Sequence, residues 1–510
     1  MGSNTSVPAA SASTTHEKKY TAQAQRSPES AAELLAALSL RSSSPASASG
    51  HVTTDLIDTW HHAFASSPKN RLASTVLSKT NWTEAIINNS RPIADQQIFN
   101  TKLSLEGNPV TNQKSSGRCW LFAFTNNVRI EMMKKYDLEE FQLSQSYLFF
   151  VDSLSKANYF LEQMLDLADT PLDDRLVQVL LSEPENDGGQ WDMIVGLVNT
   201  FGLVPQAVYP ESFNSSATGK LDTLLTSKLR EYAIELRSLF DGAMKSLDEL
   251  SGKSYAEKKS LAIQSARKRK EDQMSEMYRI LAITLGAPPK PDESFVWEYY
   301  SKDKKYHRVE TTPVSFYKDY CLIDASRNIS LIDDPRNEYD ALYTVDRLGS
   351  VVGQRPVTYV NAGAEKLKET AIKLLKADHA VWFGCDVGKS SSNAAGLMDA
   401  DLWNLEDAFG TTLGLDKAAR LRTGDSAMTH AMLITAVHLE NGKPVRWRVE
   451  NSWGPDACTK GYMCMTDEWF TEHVFQVVAP RNFIDKKLVD LFDHGKPAVL
   501  PRWDPMGALA

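Results

Sequence analysis

The chain has 510 residues and a net charge of −9, with 42% hydrophobic and 24% charged residues. That length predicts about three domain-sized units, and the ordinary globular composition excludes a fibrous or wholly disordered chain. The acidic balance gives no general pull toward nucleic acid or anionic membrane, and no run of about 18 apolar residues predicts a membrane span. Five cysteines, at 119, 321, 385, 458 and 464, form no disulfide framework, which predicts a soluble intracellular protein in a reducing compartment.

Residues 1–54 read as a disordered arm, because 23 of the first 50 are Ser or Ala and aromatics are nearly absent. Three special readings compete there. Met1-Gly2-Ser3-Asn4-Thr5-Ser6 fits the N-myristoylation pattern at Gly2. The Ser-rich arm has the polarity of a mitochondrial presequence, although Glu17, Glu29 and Glu33 nearly cancel its basic residues. A short helix from Ser30, with Glu33 as capping partner, is the third.

The folded body is expected from Asp55, with helical segments around 55–66 and 83–89. A stronger helix begins at Cys119, where Leu121, Phe124, Val128 and Met132 fall on one apolar face. Ser115-Ser116-Gly117 before it should supply capping hydroxyls. Helices are also expected over 143–168, 173–182 and Trp191 to Phe201, then a long charged helical stretch over 219–283 that ends at prolines 288, 289 and 291. Strand alternation follows at 295–311, with apolar strand runs at 356–361 and 379–385.

Cys119 stands at a helix start, where unpaired amides and the helix dipole favour a thiolate and can lower the thiol pKa to roughly 3.5–7.5 beside a cationic His. The bland alternative is a buried structural cysteine. The partners for chemistry lie in a hairpin at 430–454, with Asn441-Gly442 as a two-residue turn. That register sets His430 opposite Trp453 and Asn451 opposite Met432, so His430 and Asn451 share a face. An Asn oxygen accepting from one imidazole nitrogen fixes the tautomer and aims the other at a thiol, while Trp453 shields the bond. A satisfied core histidine is the competing reading. His438 sits on that face by parity and is taken as structural. Gln113, on the turn into the helix, is a candidate oxyanion donor together with the Cys119 amide, or else a polar loop residue.

Gln113-Lys-Ser-Ser-Gly-Arg-Cys119-Trp120, His430-Ala and Asn451-Ser-Trp-Gly454 resemble the papain superfamily of cysteine peptidases. Two departures stand out. Ser116 replaces the cysteine that secreted members use in a disulfide, and His430 and Asn451 lie 311 and 332 residues after Cys119 rather than about 130–150. The strings at 112–122, 428–433 and 448–454, the helical insertion and the tail at 500–510 resemble the bleomycin hydrolase branch.

The resemblance implies an α+β fold: a papain-like two-domain core, helical on one side and barrel-like on the other. A large helical insertion and a C-terminal arm ending in the active site complete it. Domains are then expected at 55–210 with the nucleophile, 211–340 for assembly, 341–495 with His430 and Asn451, and 496–510 as the arm. It further implies a cytoplasmic cysteine aminopeptidase, with a mitochondrial form through the arm, that assembles as a homohexamer. Its substrates would be peptides with a free amino terminus, with bleomycin and homocysteine thiolactone as side substrates. Cys119, His430, Asn451 and Gln113 would be catalytic. The Ala510 carboxylate would take the substrate's amino group, and Gly188 and Gly189 its backbone, although Gly188-Gly189 also reads as a plain turn before a helix. No cofactor and no metal is expected. Nucleic-acid binding through Arg267 to Lys270 is the weaker reading beside a solvated helix face, since Glu271-Asp272 follow. A non-catalytic nucleic-acid-binding assembly and a Cys-His acyltransferase are the alternatives from other classes.

Overall fold

The computed structural model describes residues 50–249 and 252–510. Gly2 and the helix expected from Ser30 lie outside the described residues. Two compact units divide at Asn81 and Trp82. The first contributes helices α1 (Thr54–Ser66) and α2 (Pro68–Leu77), each opened by a side-chain cap, from Thr53 and Ser67 respectively. The expected helix at 83–89 is only a single turn, Trp82–Ala85.

The second unit is built on helices α3 (Cys119–Tyr136), α4 (Gln145–Asp166), α5 (Trp191–Phe201), α6 (Gly219–Asp248) and α7 (Tyr255–Leu285). Helix α5 has the bounds expected from its sequence. Helix α3 differs from expectation in two ways. It is buried nearly all round rather than along one stripe, with Thr125, Asn126 and Arg129 inside as well as its apolar residues. Its start is uncapped by any side chain. Ser116 Oγ is used elsewhere, donating to Gln113 O at 2.7 Å and accepting from Arg118 Nε at 3.0 Å.

Helices α6 and α7 pack on each other and on α4, which accounts for the charged stretch. Ser254 and Glu257 form a reciprocal capping box at the start of α7. Three residues of the basic run are held in ion pairs: Arg267 and Lys270 with Glu162 at 2.7 and 2.8 Å, and Arg269 with Glu235 at 2.7 Å. Strands β1 (Phe295–Tyr300) and β2 (Tyr306–Thr311) form a separate antiparallel hairpin, as the alternation at 295–311 predicts.

The remaining strands form one mixed sheet. They are β3 (Asn328–Ile332), β4 (Ala341–Val345), β5 (Thr358–Asn361), β6 (Val381–Cys385), β7 (His430–Glu440), β8 (Lys443–Glu450), β9 (Tyr462–Thr466), β10 (Val474–Pro480) and β11 (Ala498–Leu500). Their order is β11-β4-β5-β3-β10-β6-β7-β8-β9, followed by two short strands. Helix α3 packs against β7 and β6, so the helix that begins at Cys119 meets the strand that begins at His430. Trp382 Nε1 on β6 donates to Trp120 O, and Trp191 packs edge-on between Phe124 and Trp382 at 5.6 and 5.7 Å. Arg129 of α3 pairs with Glu450 of β8 at 2.9 Å, both buried. Removing one partner would strand a buried charge, at a cost of about 3–5 kcal/mol.

The β7–β8 hairpin turns at Asn441-Gly442, both in left-handed backbone, with Glu440 opposite Lys443. Its register follows the expected one from Leu433↔Glu450 to Ile434↔Val449, then slips by one residue at Thr435 before returning at Leu439. Thr435 O accepts from Leu103 N at 3.1 Å, and Thr101–Lys102 pairs with β7 just beyond. The slip breaks the parity count between His430 and His438. His438 lies near the turn of the hairpin, far from its open end, 3.5 Å from Glu440.

Candidate active site

The site forms where three remote segments converge. The loop at 111–118 leads into α3 and is paired with the segment following β8: Gln113 N donates to Ser452 O at 2.8 Å, and Gly454 N to Thr111 O at 2.9 Å. The Asn451 amide turns away from the hairpin to Gly461 O at 3.1 Å, which ends the β7–β8 ladder before the pairs expected at Asn451 and Trp453. His430 opens β7 and pairs with Cys385 of β6 on its other side.

The His430–Asn451 contact expected from the hairpin is present by another route. His430 Nε2 lies 3.0 Å from Asn451 Oδ1. The same oxygen accepts from Ser452 N at 2.8 Å, which fixes the orientation of the amide. An oxygen acceptor there puts the imidazole proton on Nε2 and leaves Nδ1 as the base. Trp453 covers the pair, its ring centroid 5.2 Å from that of His430 and tilted by 30°. His430 is 5% exposed and Asn451 1%.

Cys119 is 2% exposed, and its sulfur is addressed by the backbone amides of Ala431, Trp120 and Cys119 itself. Cys119 and His430 line one cavity of about 410 Å³. The electrostatics reverse the expectation drawn from the helix start. Burial pushes the Cys119 thiol up to about 12 against those amides, and Asp187 adds a like charge. Burial also lowers His430 to about 4, against the Asn451 bond. Both groups therefore rest neutral near pH 7, so in any attack by the sulfur its proton would have to be taken up by Nδ1. A base whose pKa is lowered to about 4 loses its function only as pH falls through that value, not through 6.5. The acid limb of kcat/KM is accordingly expected near pH 4. Alkylation of Cys119 by iodoacetamide should climb steadily with pH through neutrality; a plateau between pH 5 and 8 would indicate a preformed ion pair instead.

Gln113 lines the same cavity and is held at both ends of its amide. Its Nε2 donates to Ser116 O at 2.5 Å and its Oε1 accepts from Ser452 Oγ at 2.6 Å. One N–H remains for a further acceptor.

The glycine pair forms the opposite wall. Gly189 lies flat on the Trp120 ring, where a Cβ would sit 2.5 Å from ring carbons, so only glycine fits. Lys156 Nζ supports the loop from beneath, donating to Asn186 O and Gly188 O at 2.7 and 2.6 Å and pairing with Asp152 at 2.6 Å. The tail runs along this wall as an added strand. Gly189 N donates to Ala510 O at 3.0 Å, and Ala510 N to Gly189 O at 3.2 Å. Further anchors are Gln190 Nε2 to Ala508 O at 2.7 Å, Arg502 Nη1 to Gly507 O at 3.1 Å and Tyr359 Oη to Met506 O at 3.2 Å. All eight sequence-derived site residues thus fall in one region: Cys119, His430, Gln113, Gly188 and Ala510 line the cavity, and Asn451, Trp453 and Gly189 back it.

Several residues of the site escaped the sequence reading. Asp187 accepts from Gly117 N and from Thr218 Oγ1, while its backbone oxygen accepts from Trp120 Nε1 at 2.8 Å. It ties the thiol loop to the glycine loop. Arg118, fully buried, makes a two-pronged bond to Glu211 at 3.1 and 3.0 Å between the rings of Phe122 and Phe149. Ser452, which steadies Gln113, could have been picked out only by its place beside Asn451.

The chain is similar to known proteins along most of its length. The sequence profile of the Peptidase C1-like family matches residues 51–507. "Cysteine proteinase 1, mitochondrial" of Saccharomyces cerevisiae (strain ATCC 204508 / S288c) is 43% identical over 469 residues, covering 91% of this chain and 94% of the yeast protein. "Bleomycin hydrolase" of Homo sapiens is 43% identical over 427 residues, covering 81% of this chain and 89% of the human one. Among solved structures, PepW from Lactobacillus rhamnosis HN001 superposes with a TM-score of 0.83 at 40% identity, covering 91% of this chain and all of PepW. By the family match over residues 51–507 and the identity to these relatives, the chain belongs to the Peptidase C1-like family of cysteine peptidases.

Proposed function

We propose that this chain is an aminopeptidase that releases amino-terminal residues through a thioester on Cys119. The observation that carries the reading is the tail paired in register with Gly189 beside the nucleophile. That strand fills the groove where the preceding residues of a longer substrate would lie. A carboxylate at Ala510 rewards a substrate ammonium and leaves room for one residue before the scissile bond. Cys119 Sγ attacks the first carbonyl as its proton passes to His430 Nδ1. The free N–H of Gln113 and the Cys119 amide stabilise the oxyanion. His430 protonates the departing amine, and water then opens the thioester with His430 as base. Asn451 holds the imidazole, Trp453 shields it, and Gly188 and Gly189 present backbone to the chain end.

The same acyl transfer would open bleomycin's amide and homocysteine thiolactone. Assembly as a homohexamer, with α6 and α7 of the insertion among the contacts, belongs to this proposal, as does a cytoplasmic or mitochondrial site of action; the yeast relative carries "mitochondrial" in its name. No helix of the described residues is long and apolar enough to cross a membrane. Acetylating the amino group of a peptide substrate tests the reading: kcat/KM should fall at least about 100-fold, as expected when a charge-assisted contact is lost. Equal turnover of free and acetylated peptides would refute it.

A further inference from the structure

The cleft carries charge of one sign. Apart from Cys119 and His430, the ionisable side chains that line it are Glu183 and Asp187, and no Lys or Arg lines it. Asp187 is committed to Gly117 N and Thr218 Oγ1. Glu183 differs. It is exposed, and among the described residues its carboxylate makes no hydrogen bond or ion pair. It stands where the cleft meets an adjoining cavity, since both are lined by Glu183, Asn186 and Leu509. Arg502 lies in that second cavity, donates to Gly507 O and feels the charge of Glu183, but forms no hydrogen bond or ion pair with it. A carboxylate at the junction of two cavities that makes no hydrogen bond or ion pair, with Arg502 acting on it only at longer range, can still accept a cation.

We propose that Glu183 is a specificity determinant that favours substrates whose amino-terminal residue is Lys or Arg. The proposal rests on the aminopeptidase reading, which places the side chain of that residue inside this cleft. The glycine wall is occupied by the tail, and the mouth of the cleft at 183–187 remains for the side chain. A Lys or Arg head there meets Glu183 directly, with Asp187 adding to the field. A Glu or Asp side chain meets like charge from both. Water screens the interaction without abolishing it, so its effect is a preference rather than an absolute requirement. The preference should weaken as salt rises, since the groups are open to solvent.

The test uses coumarin amides of Lys, norleucine and Glu, with the full-length enzyme and the variants Glu183→Gln and Glu183→Asp. Norleucine matches the length of Lys without its charge. The wild-type enzyme should rank them Lys, norleucine, Glu by kcat/KM. Glu183→Gln should lower the Lys-to-norleucine ratio about 5- to 10-fold, and Glu183→Asp should retain most of it. Raising salt from 20 to 200 mM should shrink the ratio in the wild type and shrink it clearly less in Glu183→Gln, where only Asp187 remains. A ratio that does not move in Glu183→Gln, with norleucine still turned over, overturns the role of Glu183 and leaves the aminopeptidase reading standing. Failure of the wild type to release coumarin from any of the three overturns both.

Discussion

Replacing Cys119 by alanine is expected to lower kcat by about 10⁵-fold or more, the scale seen when a nucleophile that acts together with its base is removed. The substitution should not disturb the fold. Cys119 sits at the first position of α3 and the sulfur contacts mainly backbone amides, so its loss leaves a small void beside an already open cavity. Circular dichroism and the thermal midpoint should therefore stay close to wild type while peptide turnover disappears. Retained turnover in Cys119→Ala would mean that the thiol is one more buried cysteine like Cys321 and Cys385. His430→Ala should approach the same loss, because a neutral thiol raised to about 12 then lacks the imidazole that would take its proton. Asn451→Ala should cost less, about 10²-fold, since it frees the ring to rotate without removing it.

The second large effect concerns the tail. Deleting 506–510 should open the groove along Gly188 and Gly189 and allow cleavage within a peptide, including peptides whose amino group is acetylated. The deletion removes the bonds that Ala508 and Ala510 make with Gln190 and Gly189, but the anchors upstream of it survive. Arg336 still bridges Asp334 and Asp504, each at 2.8 Å, and β11 still pairs with β4. The chain should stay folded, and product mapping by mass spectrometry should find internal cuts absent from the full-length digest. A truncated enzyme that trims only from the amino end would show that something other than the tail limits it. Extending the chain past Ala510 by a few residues should weaken amino-terminal trimming, because it moves or removes the carboxylate.

Much of the site could be read from sequence because its pieces are local. The helix at Cys119, the turn at Asn441-Gly442 and the shared face of His430 and Asn451 depend on residues within one helix or one hairpin. The expected register of that hairpin holds at its two ends and slips by one residue between them. At the slip, Thr435 meets Leu103, with Thr101–Lys102 paired just beyond, more than 300 residues away in the chain, and nothing in the hairpin sequence itself announces it.

What sequence could not reveal was the solvation of the thiol. A helix start favours a thiolate, but Ala431 and the 186–189 loop close over the sulfur, and desolvation outweighs the helix. The same holds for Asp187. As a residue before two glycines it reads as part of a turn, and only folding brings Gly117 and Thr218 to its carboxylate. Its carboxylate and backbone oxygen tie the thiol loop to the glycine loop. The Ser116 hydroxyl expected before α3 is drawn into bonds with Gln113 and Arg118, leaving the first amides of the helix facing the sulfur.

The central claim is an acyl group carried on one sulfur, and rapid-quench mass spectrometry of the intact enzyme reads it directly. With a peptide ester whose amino terminus is free, the account predicts a transient mass gain equal to one amino-terminal residue, mapped to Cys119 by proteolysis in acid. Turnover with no adduct at Cys119, or an adduct on another residue, would contradict it.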